Sequence, residues 1–320
     1  MTTLFTKWKR FFSKGNINQQ LKVVAPPKNL GIHIEHGDAL VKELYQALGN
    51  EFSEKIKVRF LQEHPNWTNY QFDWAFFELK RYFIMNKILR SVPMFSKTVD
   101  EVWHEMLMWT REYEAFSKTF YLDMLHHIPN INNKPIPGER GFFDWIYLQL
   151  FESTPNSRLL WGGFFQHPIK KEILNDFRML SEEELLNRYF RHNGEWMNMK
   201  RGLIKKLKQQ MEEAHLVDGD RPFINSSVTS EATLYQYALF PAVYFSLFHV
   251  RNFQQAMSQA MPDKLYGKVH RDTSSACSGF ACASMISDGK DASNGSDGAD
   301  SAGSGDSGGS CSSCGGGCSS

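Results

Sequence analysis

Three side chains in the first half of the chain have the types and spacing to hold a metal ion. Asp100 and His104 stand four residues apart in an apolar-periodic stretch, so a helix there sets them on one face. A segment that returns antiparallel from about Tyr113 brings His127 to the same end of that helix. One carboxylate and two imidazoles form a ligand set that zinc accepts. The same residues also have a plainer use. A buried polar group left unpaired costs roughly 1–3 kcal/mol, so Asp100 accepting a hydrogen bond from His104 would lock a helix pair with no metal at all. That structural use is the expectation, and the metal set is its alternative.

A second candidate lies at the far end. Cys311, Cys314 and Cys318 have a spacing compatible with a soft metal, although ordering a Gly-rich chain around the ion opposes it. Cys and Ser flanked by Gly also suit enzymes that modify such side chains, and a solvated tail with reduced thiols is the expected state. His33 and His36 sit beside Gly31 and Gly37 with no third ligand evident. Glu182, Glu183 and Glu184 open a helix, where acids suit the helix dipole. The chain has no phosphate-binding glycine loop, no dinucleotide fingerprint and no G-x-S-x-G. His104-Glu105 begins an H-E-x-x-H, but Met108 replaces the second His. All five cysteines follow residue 270, so the body offers no thiol nucleophile and no disulfide.

The elements around these residues read as helices. Asp38–Leu48 stops at Gly49-Asn50, Glu51–Glu63 stops before Pro65, and a third helix runs from about Asn69 to Arg90. A fourth begins at Thr98, with Glu101 in the capping-box position. Val99, Val102, Trp103, Met106 and Leu107 line it, and its pattern continues through Phe116 and Phe120 to Pro129. After a Pro/Asn/Gly loop at 130–141 come helices at Phe142–Phe151, after the Ser181/Glu184 cap, at Glu195–Leu216, and at Glu231–Met261 with a kink at Pro241. Period-2 runs are nearly absent, and Leu21–Val24 is the one candidate strand. The fold class is therefore all-α: a multi-helix globular domain with a disordered C-terminal Gly/Ser/Cys tail. Three regions follow: a basic N-terminal segment and linker at 1–30, a helical domain at 31–270 with a candidate subdivision near 130–141, and the tail at 271–320. The tail holds 11 Gly and 15 Ser with Phe280 as its one aromatic, too little apolar area to offset ordering costs of about 1–2 kcal/mol per residue.

The net charge of +1 hides an asymmetry. Arg271 and Lys290 face six aspartates in the tail, which leaves it at −4 and the rest of the chain at +5. That excess is mild and unclustered, so no nucleic-acid partner is indicated. The N-terminus is different. Leu4, Phe5, Trp8, Phe11 and Phe12 fall on one helical face, with Lys7, Lys9, Arg10 and Lys14 around it and no acid before Glu35. This pattern is expected to dock on the body, with an anionic membrane surface met by residues 1–15, or a partner protein, as the alternatives. Leu234–Val250 is interrupted by Gln236 and Pro241 and is too short for a spanning helix. With no secretory signal in sight, the chain is expected in the cytoplasm, peripheral at the membrane if residues 1–15 bind there.

The stretch Val99-Asp100-Glu101-Val102-Trp103-His104, then Tyr113, then His126-His127-Ile128-Pro129, resembles the signature of the glycine-rich domain-containing protein family. That pattern is close to D-x-x-W-H-x-H, then Tyr, then Cys four residues later, then H-x-P, often with a Gly/Cys-rich C-terminus. The matching positions are Asp100, Trp103, His104, Tyr113, His127 and Pro129. Two positions depart: Met106 stands for the second His and Ser117 for the Cys. The resemblance implies a fold more than a reaction. The leading expectation is a non-catalytic interaction or scaffold protein with an unidentified protein partner and no cofactor. The alternatives are a metal-binding protein, with zinc or another soft metal at Asp100, His104 and His127 or at the tail cysteines, and a precursor-like protein with a modified tail.

Overall fold

A computed structural model describes residues 21–128, 137–192, 194–217, 230–266 and 282–285. The fold is all-α, as the 3.6-residue periodicity predicts. Helices α1 (Gly37–Leu48), α2 (Asn50–Glu63), α3 (Asn69–Ile88), α4 (Lys97–Met108) and α5 (Thr110–Tyr121) form the first half. The second half holds α6 (Pro137–Leu150), α7 (Pro155–Trp161), α8 (Lys171–Met179), α9 (Glu182–Tyr189), α10 (Met197–Leu216), α11 (Glu231–Phe248), α12 (Phe253–Ala260) and α13 (Asp263–Tyr266).

The central element is α3. It starts at a capping box, in which the Thr68 hydroxyl accepts from the Gln71 N–H and the Gln71 side chain accepts from the Thr68 N–H. From Phe72 to Ile88 nearly every face is buried, charged positions included. Glu78 and Arg81 find their partners inside the protein. The Glu78 carboxylate accepts from Tyr147 Oη at 2.6 Å, Ser157 Oγ at 2.7 Å and Trp161 Nε1 at 2.8 Å. Arg81 donates to the Leu30 carbonyl at 2.8 Å and to Tyr147 Oη at 2.6 Å. This network ties α3 to α6 and α7 across the 130–141 loop, and one apolar core runs from Leu21 to Tyr266. The body is therefore not subdivided at that loop.

Several local expectations are corrected. Leu21–Val24 forms no strand; Lys22 N–H is bonded by Asn156 Oδ1 and Val24 N–H by Tyr70 Oη, side chains rather than a ladder. The fourth helix begins at Lys97, with Ser96 as its cap accepting from Val99 N–H, because the upstream hydroxyl takes the role expected of Thr98. It breaks at Trp109, where ψ is 63°, so α4 and α5 are separate. The last long helix continues through Pro241 and ends at Phe248. Ser181 and Glu184 form the expected capping box.

The described strands are short: β1 (Pro93–Met94), β2 (His126–Ile128) and β3 (Cys282–Met285), in the antiparallel order β1-β3-β2. Cys282–Met285 belongs to the region expected to be without structure, and that expectation does not hold for these four residues. Hydrogen bonding on both edges supplies what their composition lacks in apolar area. Residues 1–20 and the rest of the tail, with Leu4, Phe5, Lys7, Trp8, Lys9, Arg10, Phe11, Phe12, Cys311, Cys314 and Cys318, lie outside the described residues, as does Pro129. Among the described residues no helix is long and apolar enough to cross a membrane.

Candidate metal centre

The site is assembled by aromatic packing of α4 on α3. Trp103, fully buried, lies against Tyr82 at 5.3 Å and edge-on to Phe83 at 6.0 Å between ring centroids. With Trp103 facing inward, the next residue and the one three before it, His104 and Asp100, fall together at the margin of that packing. Helix α5 then returns along α3, with Phe116 5.1 Å from Phe83.

Tyr113 on α5 connects the two helices to the third ligand candidate. Its hydroxyl accepts from Trp103 Nε1 at 3.0 Å and donates to the Leu125 carbonyl at 2.7 Å. Leu125 is two residues before His127, so this relay fixes the start of β2. The Trp103 ring then meets the His127 ring edge-on at 4.5 Å. Burial raises the Tyr113 phenol well above its ordinary pKa, which keeps the hydroxyl proton available for donation.

His127 Nε2 lies 2.9 Å from Asp100 Oδ1, a hydrogen bond. His104 Nδ1 stands 3.6 Å from Asp100 Oδ2, an ion-pair distance too long for a hydrogen bond. The bond to the Asp100 carboxylate expected of His104 is thus made by His127. A hydrogen bond to the Asp100 backbone supports His104 instead, while burial pushes its pKa down, with the Asp100 charge opposing and His127 adding to the fall. The two imidazole centroids are 4.5 Å apart.

One ligand atom from each of Asp100, His104 and His127 lies within 4.8 Å of the others. An ion with zinc-like ligand distances of about 2.0–2.2 Å sets tetrahedral ligand atoms roughly 3.3 Å apart. Closing the three onto an ion therefore requires side-chain shifts of about an ångström, within the reach of small torsional adjustments. The side chains of Asp100, His104 and His127 retain 16%, 19% and 7% of their exposure, so the cluster is reachable from solvent. The donor set is chemically suitable, with two borderline nitrogen ligands and one hard oxygen.

Two positions that depart from the resembled motif lie elsewhere. Met106 is about 200° around α4 from His104 and is buried in the core, and Ser117 is fully buried on α5. Neither substitution removes a ligand from this cluster. Glu101, expected as the capping-box partner of Thr98, stands next to Asp100 and outside the metal-capable group. Burial pushes its carboxyl up to about 7, with Asp100 adding and Lys97 opposing. His33 donates its backbone N–H to the Leu150 carbonyl and His36 precedes α1 with φ of 62°, and neither joins a metal-capable group among the described residues. The Glu182–Glu184 run is an exposed first turn, with Glu184 serving the cap.

A family model described as UCP032817-like matches residues 40–136, a span that contains Asp100, His104 and His127. No curated protein and no solved structure matches the chain.

Proposed function

We propose that this protein holds one divalent transition-metal ion on Asp100, His104 and His127. What carries the reading is convergence: residues from two elements, 27 positions apart from first to last, meet within 4.8 Å. Further support comes from Trp103 and Tyr113, which are buried and spend their polar atoms on orienting the segment that bears His127. Three protein ligands leave a coordination position for water or a small ligand.

The tail thiols are rival ligands, so the test separates them from the body. Full-length protein, stripped with chelator, is titrated with Co²⁺, and its d–d absorption is followed. The reading expects one ion per chain, binding that survives replacement of all five cysteines by Ser, and loss of binding in His127→Ala. Absence of stoichiometric binding overturns it. So does binding that disappears with the cysteines but persists in His127→Ala.

A second reading rests on the 2.9 Å bond between His127 and Asp100. In it the cluster is a latch that pins β2 to α4 in a non-catalytic interaction protein. It expects Asp100→Asn to destabilise the fold while the native chain, as purified or loaded, takes up no ion.

A further inference from the structure

The three-stranded sheet has an unusual construction. Neither β1 nor β2 pairs with the other; both pair with β3, in the order β1-β3-β2. Pro93 and Met94 stand opposite Ala283 and Cys282. His126, His127 and Ile128 stand opposite Met285, Ser284 and Ala283. The body thus presents two strand edges with room for one strand between them, roughly 10 Å apart at the usual 4.7–4.9 Å spacing.

Those two edges are held by the body. Before β1, the Val92 carbonyl accepts from Tyr82 Oη at 2.7 Å. Met94 and Phe95 are buried, and Phe95 lies 5.3 Å from the Phe143 ring. Before β2, the Leu125 carbonyl accepts from Tyr113, and His127 is bonded to Asp100. Pro93 occupies the outer strand, the place in a sheet where a residue lacking an N–H is tolerated.

The middle strand is different in kind. Its sequence is Cys-Ala-Ser-Met, joined to Tyr266 through residues 267–281. Three of the four are small, and Met285 alone carries a large apolar side chain, so the strand brings limited apolar area. Recognition must then come from main-chain hydrogen bonds to both edges, and main-chain pairing is tolerant of sequence. We propose that the gap between β1 and β2 is a binding slot for an extended, uncharged peptide segment, and that Cys282–Met285 fills it in cis. A partner's segment enters by displacing the chain's own strand. The slot does not depend on a metal at Asp100, His104 and His127.

A strand carried on the same chain has an effective concentration on the order of millimolar. A trans peptide with its own dissociation constant of about 100 µM is then weakened roughly tenfold in the native chain. The test uses full-length protein, native and Ala283→Pro, the latter removing a donor from the middle of β3. The probe is a fluorescein-labelled peptide of residues 279–289 carrying Cys282→Ser, and anisotropy is read in excess chelator. The expected result is binding about tenfold tighter to Ala283→Pro than to the native chain, and no binding of the same peptide N-methylated at Ala283 and Ser284. Hydrogen exchange supplies an independent readout: amides of His126–Ile128 lose protection in Ala283→Pro and regain it with the peptide. The proposal is overturned if neither chain binds the peptide, if both bind it equally, or if the N-methylated peptide binds as well.

Discussion

Tyr113→Phe isolates the relay that positions His127. The change keeps the ring, which is 1% exposed, and deletes one oxygen. That oxygen serves two buried groups, Trp103 Nε1 at 3.0 Å and the Leu125 carbonyl at 2.7 Å. Each is left unpaired, at roughly 1–3 kcal/mol apiece. Because one oxygen serves both, a total near 2–4 kcal/mol is expected. For a domain of this size that corresponds to a fall in Tm of roughly 5–15 °C. Tyr121→Phe is the control. Its hydroxyl donates to the Phe83 carbonyl alone, at 3.1 Å, so about half the loss is expected. Urea unfolding with constant m-value reads both. If an ion is bound, Tyr113→Phe also weakens it, because the segment that carries His127 loses its anchor at Leu125, whereas Tyr121→Phe leaves it unchanged. A silent Tyr113→Phe, or equal losses in the two variants, would refute the positioning argument.

Glu78→Gln leaves Arg81 without its carboxylate in a fully buried network, and urea melts should show a loss of roughly 3–5 kcal/mol. Gly141→Ala places a methyl 2.5 Å from the Pro168 carbonyl and 2.6 Å from the Ile169 nitrogen; backbone must move, and a lower Tm with unchanged metal uptake is the expected outcome. Burial lowers Lys80 and Lys200 from 10.5 to about 8. A depressed cation burdens the folded state while charged, fully so below pH 8, and the burden disappears as pH rises toward 10.5. Lys80→Met should therefore stabilise the protein at pH 7 by a margin that shrinks between pH 8 and 10; a margin that grows with pH contradicts the assignment.

Much of this architecture was legible because it follows from local rules. The cap at Ser181 and the breaks at Gly49 and before Pro65 are decided by side chains within a turn of the event. The division at Trp109 was not legible. Val99 to Phe120 keeps an apolar period across it, and the break depends on Glu105 accepting from both Trp109 and Arg59 of α2. The helix through Pro241 was readable, but its end was not: it stops at Phe248 and a separate helix runs from Phe253 to Ala260, where the apolar pattern suggested one helix to Met261. At the site, the i, i+4 relation of Asp100 and His104 was readable. Which histidine bonds the carboxylate was not, because it depends on where Tyr113 anchors Leu125. The β3 pairing escaped altogether: pairing through the backbone leaves no mark in the side chains of a four-residue strand.

The candidate metal centre and the peptide slot share β2, and that sharing has a thermodynamic consequence. His127 is bonded to Asp100 through its side chain, while its strand is paired to Ser284 and its neighbours through the backbone. An ion that fixes His127 orders the edge against which an extended segment pairs. A strand in the slot orders His127 for the ion. Ordering one residue's backbone costs about 1–2 kcal/mol, so if either ligand contributes that ordering for the other, the coupling should fall near 5–30-fold. Linkage requires equality in both directions. In Ala283→Pro, saturating Co²⁺ should tighten the 279–289 peptide by some factor in this range, and saturating peptide should tighten Co²⁺ by the same factor. If both ligands bind and the factor is one, β2 is rigid without either, and the slot and the metal centre are independent features of one strand.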